Sequence, residues 1–176
     1  MALSPNYFNL ILGGLLLGAV YTDLRYRKIP NFLVGIGMLA ALGWHFYQSG
    51  MVGLFFSLQG LGIGILLLAI PFFLGGMGAG DVKLLGMIGA FMGTQFVFNT
   101  FIWMALVGGV VAMIFLMKEG QVKSTLSRLG RGALLAMTLR KGDIALNSAK
   151  KEEFSVYFPY GLAIVLGALL AYWRSW

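Results

Sequence analysis

At 176 residues the chain has the length of one domain, yet it is 59% hydrophobic and 11% charged, with 26 glycines. Its net charge is +7, and no charged residue falls between Ile29 and Gly80 or between Leu84 and Met117. Uncharged runs longer than the ~20 residues that cross a bilayer exclude a soluble globular domain. The lack of strict alternation excludes a barrel, and a chain without cysteine holds neither a disulfide nor a thiolate zinc site.

The predicted fold class is all-α: a polytopic integral membrane protein of about six transmembrane helices, in one domain covering 1–176. The first helix runs over Asn6–Thr22. Met1–Pro5 has no basic side chain and no small-x-small site follows the apolar run, so this reads as a retained helix, not a cleaved signal. The second, Phe32–Tyr47, ends in Trp44-His45-Phe46-Tyr47, a cluster typical of a membrane–water interface. His45 is the sole histidine and has no neighbouring acid, so it reads as part of that belt, not as a metal ligand or catalytic base. No metal and no cofactor is expected.

The third helix is Met51–Leu74. The uncharged run that follows Lys83 is too long for one crossing and short for two, and Gly93-Thr94-Gln95 is its only turn signal. The fourth and fifth helices are therefore Val82–Met92 and Phe96–Met117. Residues 118–158 form a basic loop in which Val122, Leu126, Leu129, Ala133 and Met137 recur at helical spacing, with Lys123, Arg128, Arg131 and Arg140 mostly off that stripe. Two readings fit: an amphipathic helix resting on anionic membrane lipid, or a charged loop that only fixes topology. The last helix is Pro159–Trp173.

Twelve of the thirteen basic residues, and all six acids, fall in the odd-numbered connections; only Arg174 lies on the other side. Basic loops stay in the cytoplasm, which predicts external termini and a cytoplasmic face bearing the acids. This distribution accounts for the net charge, so no nucleic-acid partner is inferred. Gly14-x-x-x-Gly18, Gly60-x-x-x-Gly64 and Gly89-x-x-x-Gly93 read as close helix contacts. Gly76-Met77-Gly78-Ala79-Gly80 is not a phosphate loop: it follows a membrane span and no Gly-Lys-Ser/Thr closes it.

Two acids stand next to apolar cores. Asp23 closes the first span, where a carboxylate opposes the helix dipole; its structural reading is an i,i+4 partner of Arg27 on a helix that continues into the loop. Asp81 opens the fourth helix, and its structural reading is an N-cap. The glycines before it form poor helix and allow close approach by another backbone, such as an extended substrate. Placed together at one face, two carboxylates share one proton. One then activates water as general base, while its protonated partner polarises a scissile carbonyl and assists the leaving amine. The roles are not separable by sequence, and no Ser/His, Cys/His or His-Glu-x-x-His set competes.

Asp23-Leu24-Arg25-Tyr26-Arg27-Lys28-Ile29-Pro30-Asn31 resembles the first active-site motif of type IV prepilin peptidases. Gly78-Ala79-Gly80-Asp81-Val82-Lys83 resembles the second, the Gly-x-Gly-Asp signature shared with presenilin-like intramembrane proteases, and Pro159-Tyr160-Gly161 is a weaker echo. The resemblance implies an aspartic endopeptidase of the bacterial inner membrane with Asp23 and Asp81 catalytic and Gly78, Gly80, Lys83, Arg27, Pro30 and Asn31 supporting. It implies removal of a basic leader from prepilin or pseudopilin substrates before their apolar helix, at the cytoplasmic face and without metal. Longer members carry an N-terminal region with a cysteine-bearing loop, associated with methylation. This chain is similar to the short tight-adherence (Flp) type, and methyltransferase activity is not assigned. Glu152 and Glu153 are the only adjacent acids that such a leader would meet; a solvated charge run is the plainer reading. The alternative from another class is a non-enzymatic transporter or pilus-assembly scaffold, since intramembrane acids and broken helices occur there too.

Overall fold

A computed structural model describes residues 5–73, 76–118 and 160–174. The chain divides into two compact units, Met1–Gly108 with Pro159–Trp176, and Gly109–Phe158. The second contributes only the last residues of one helix to the described set. The amphipathic stripe predicted in the 118–158 loop, and Glu152 and Glu153, lie outside the described residues.

The described residues are all-α, in five helices: α1 Pro5–Tyr26, α2 Asn31–Phe73, α3 Ala79–Met92, α4 Thr94–Lys118 and α5 Tyr160–Arg174. By length and composition two segments among them are long and apolar enough to cross a membrane, Asn31–Phe73 and Thr94–Val111. The second and third predicted helices are the two limbs of α2, separated as expected by non-helical backbone at Ser49 and at Gly50 (φ 58°). Straight, its 43 residues would reach ~65 Å, about twice a bilayer core.

Instead, α2 folds back on itself. A side chain at Gly53 would run into the His45 carbonyl, so the limbs meet across the break. Contacts with α3 fix their directions. On the first limb, Gly37 lies against Met87 while His45 reaches Phe91; on the second, Gly64 lies against Leu85 while Ser57 bonds Ala90. The first limb thus runs parallel to α3 and the second antiparallel. α1 runs against the first limb, with Phe8 stacked on Trp44 and Gly18 beside Leu33. α5 runs against α1, with Gly161 at Asp23 and Tyr172 at Asn9. The end of α1 and the starts of α2, α3 and α5 therefore share one end of this unit.

α3 is its core: Leu84, Leu85, Met87, Ile88 and Ala90 have no exposed surface. Glycine makes the packing this close. A Cβ on Gly60 would collide with the Gly89 carbonyl, and one on Gly89 with the Gly60 carbonyl, so two of the three predicted glycine pairs are used. Gly14 is different, with nothing near its missing side chain. Large apolar side chains point outward instead, among them Leu17, Leu39, Val52 and Ile70, each more than 70% exposed. Glycines at the closest helix contacts and large apolar side chains on the outer surface suit a lipid surround.

Two boundaries differ from expectation for identifiable reasons. α1 continues past Thr22 to Tyr26, because a membrane edge does not end a helix; Arg27 does, at φ 54°, its N–H closing on the Asp23 carbonyl at 2.9 Å. The predicted turn Gly93-Thr94-Gln95 is Gly93 alone, at φ 84° with the Phe56 ring against its Cα, and α4 starts at Thr94. His45 is not simply an interfacial belt residue. Its Nε2–H donates to the Phe91 carbonyl at 3.0 Å, inside a cluster of Phe8, Trp44, Phe56 and Phe91.

Candidate active site

Asp23 lies three residues before the end of its helix, where its own helix dipole is unfavourable. Its side chain does not stay there. Asp23 is 5% exposed, and its Oδ2 accepts the backbone N–H of Gly161 at 3.1 Å, in the first turn of α5. Helix N-termini have amides without intrahelical partners and favour negative charge, so α5 supplies what α1 withholds. Gly161 has no alternative here: a Cβ would stand 2.6 Å from Oδ2 and 3.0 Å from Cγ.

Asp81 is the third residue of α3 and not its N-cap, which corrects the sequence reading. Gly78 is the cap, and the Asp81 carboxylate reaches back to accept its N–H at 3.3 Å. This is the backward arm of a capping box. The expected irregular stretch before Asp81 is helical from Ala79. A side chain on Gly78 would sit 3.2 Å from Asp81 Oδ2, and one on Gly80 3.1 Å from Ile29 Cβ. These glycines therefore make room for the Asp81 carboxylate and for the α1–α2 connection.

The two acids act on each other. Asp81 stands ahead of the apolar run Val82–Met92, and its carboxyl is pushed up to about 6, chiefly by burial and then by the charge of Asp23, against the lowering effect of the Gly78 amide. The charge of Asp81 also reaches Tyr160, the half-buried first residue of α5. Three helix ends thus converge: Asp23 from α1, Asp81 from α3, Tyr160 and Gly161 from α5. Every buried side-chain polar atom among the described residues has a hydrogen-bond partner.

The remaining predicted positions surround this pair. Pro30 precedes α2 and its carbonyl accepts the Val34 N–H at 3.4 Å. Lys83, exposed on α3, donates to Asn31 Oδ1 at 2.9 Å, which joins the two sequence motifs directly. Arg27, in the left-handed conformation, ends α1. Sequence reasoning gave Tyr160 and Gly161 too little weight. The available signal was Pro159-Tyr160-Gly161 at the start of a helix, where glycine weakens helix without an evident return.

No group of three or more His, Asp or Glu that might hold a metal is found among the described residues. Chemically, the site offers two buried carboxyls, one of them able to keep a proton well above the usual range, each with an oxygen tied to a helix amide. The model of the type IV leader peptidase family matches residues 10–113, more than half of the chain and including both aspartates. Neither a curated protein nor a solved structure matches it.

Proposed function

From the premise that this chain belongs to the type IV leader peptidase family, we propose that it is an aspartic endopeptidase that removes leader peptides from type IV or Flp prepilin-like proteins. Asp23 and Asp81 are the catalytic pair. The observation that carries this reading is the burial of both carboxyls at one end of the unit, with Asp81 raised first by that burial and then by its neighbour's charge. Such a pair keeps one proton near neutrality. The ionised member takes a proton from water as it attacks the scissile carbonyl. The protonated member donates to the carbonyl oxygen, and the proton gained by the first is passed to the departing amine.

The protein sits in the inner membrane with about six crossings, counting the limbs of α2 separately. The motif end faces the cytoplasm and both termini face outward. Its substrate is a pilin precursor whose basic leader lies at the cytoplasmic face and whose apolar helix enters the bilayer.

Leader removal tests the activity. The full-length protein in detergent, supplied with a prepilin, should release the leader and leave a mature product with a new N-terminus, readable by mass. Chelators should leave the rate unchanged, because the chain has one histidine and no cysteine. Activity lost on chelation and restored by metal would overturn the aspartic mechanism. Reporters fused after Lys28, after Gly80 and within 118–151 should read as cytoplasmic, and those at Ser49 and the C-terminus as external. A cytoplasmic C-terminus would reduce the count of crossings and sink the six-helix topology.

A further inference from the structure

The family match ends at residue 113, so α5 lies beyond it. Yet α5 touches Asp23 directly. The Gly161 amide donates to Asp23 across 138 positions of sequence, in a buried bond of 3.1 Å. The same residue leaves no space for a side chain: its Cβ would meet Oδ2, Cγ and Cβ of Asp23 at 2.6, 3.0 and 3.2 Å. Those are three atoms of a single residue. A packing glycine on the same helix behaves otherwise. At Gly167 a Cβ would meet the Met104 N at 2.7 Å and the Thr100 O at 2.8 Å, both backbone atoms of α4.

We infer that Gly161 is a positioning residue for Asp23: its amide fixes Oδ2, and its missing side chain lets the carboxylate lie beside Asp81. The inference rests on Asp23 belonging to the catalytic pair. It makes the first turn of α5 a third component of the site, after the two aspartate motifs. The bond to one oxygen restricts rotation about the Asp23 side-chain bonds. Preorganisation of this kind matters because displacement of a reacting group by ~1 Å can lower a rate about 100-fold.

Two glycine-to-alanine variants of α5 separate positioning from packing. Alanine favours helix over glycine, so neither change weakens α5 itself. In the full-length protein with a prepilin, Gly161→Ala should lower kcat by about 100-fold or more and leave KM within about twofold. Gly167→Ala should reduce accumulation or thermal stability, with kcat per folded molecule within about twofold of wild type. A wild-type kcat for Gly161→Ala overturns the inference. So does an equal loss of kcat per folded molecule in both variants, since the role of Gly161 would then be structural.

Asp23→Asn is assayed in parallel. An active Asp23→Asn removes the catalytic pair itself, and the inference falls with it. An inactive Asp23→Asn beside a normal Gly161→Ala removes only the role of Gly161. Should Gly161→Ala fail to accumulate, the double variant Asp23→Ala/Gly161→Ala should restore accumulation, because the clash is with the carboxylate. Failure to restore it overturns the inference.

Discussion

The two ends of α3 meet the same requirement with opposite chemistry. A helix begins with N–H groups and ends with C=O groups that lack intrahelical partners, and its dipole favours acceptors at the start and donors at the end. At the start, Asp81 accepts the Gly78 N–H; at the end, half-buried His45 donates to the Phe91 carbonyl. The far end is then complete. His45 is packed among aromatic rings, buried Ser57 donates to the Ala90 carbonyl, and Gly60 and Gly89 press backbone against backbone. The other end is not relaxed in this way. It holds two acids where one would cap the helix, and Gly78 and Gly161 press against carboxylates. Polarity in excess of what packing requires is what distinguishes a site from a well-capped helix end.

The largest expected effect breaks the comparison if it fails. Asp23→Asn and Asp81→Asn should each lower prepilin cleavage by about 1,000-fold or more, within the range assigned to positioned acid–base groups. Asparagine keeps the size and hydrogen bonding but cannot cycle a proton, so both variants should insert and accumulate normally. Near-wild-type processing by either would mean that the acids are structural, like His45. The complementary change is at the far end. Gly60→Ala places a methyl group against the Gly89 carbonyl and should cost about 3 kcal/mol or more of stability. Cleavage per folded molecule should stay close to wild type. The measurements are thermal melting in detergent and kcat normalised to folded protein.

A smaller effect sharpens the electrostatic half of the contrast. Asp81 has a folded pKa of about 6 against 3.8 for the free group, so folding favours its protonated form. Its contribution is fully present below the unfolded value and is lost as pH rises through about 6. Wild type should therefore lose stability relative to Asp81→Asn between pH 4 and pH 7, by on the order of 3 kcal/mol. Melting temperatures of the two proteins across that range should diverge. A gap independent of pH would show that Asp81 is not strained by burial and by Asp23. Cleavage itself should follow a bell-shaped curve, its upper limb above the ordinary carboxylate range, with both apparent values belonging to the pair.

Most of this contrast was legible in the sequence at the site end and little of it at the other. Asp23 and Asp81 stood out because charge is rare in so apolar a chain. Gly161 did not, because glycine is common in membrane helices and its partner lies 138 residues away. The structural alternative for Asp81, an N-cap chosen because Asp favours that position, misplaces the helix start, which lies at Ala79 with Gly78 as the cap. The Gly-x-x-x-Gly pattern identified Gly60, Gly64 and Gly89 correctly, yet misled at Gly14, because spacing places residues on one face without saying what faces them. For His45 the aromatic neighbours in sequence suggested an interface, whereas the partner that matters is a carbonyl from another helix. Contacts within a few residues are encoded locally; those between distant helices are not.

The smallest expected effect concerns the bridge between the two motifs. Lys83 donates to Asn31 at 2.9 Å from an exposed position, so water competes for both partners. An exposed neutral–cation hydrogen bond of this kind contributes about 1 kcal/mol or less. Gly80, packed against Ile29, already holds the start of α3 to the α1–α2 connection without it. Lys83→Met keeps the aliphatic stem and removes the donor, and should lower stability by less than about 1 kcal/mol. If the bridge only helps to hold the motifs together, kcat and KM should both stay within a few-fold of wild type. Asn31→Ala should then reproduce the effect, and the double variant should add nothing to either single change. A drop in kcat above about 100-fold for Lys83→Met, absent from Asn31→Ala, would mean that the ammonium group itself serves the reaction. The site would then extend from the buried pair to the exposed face of α3, and Lys83 would join the aspartates in the chemistry.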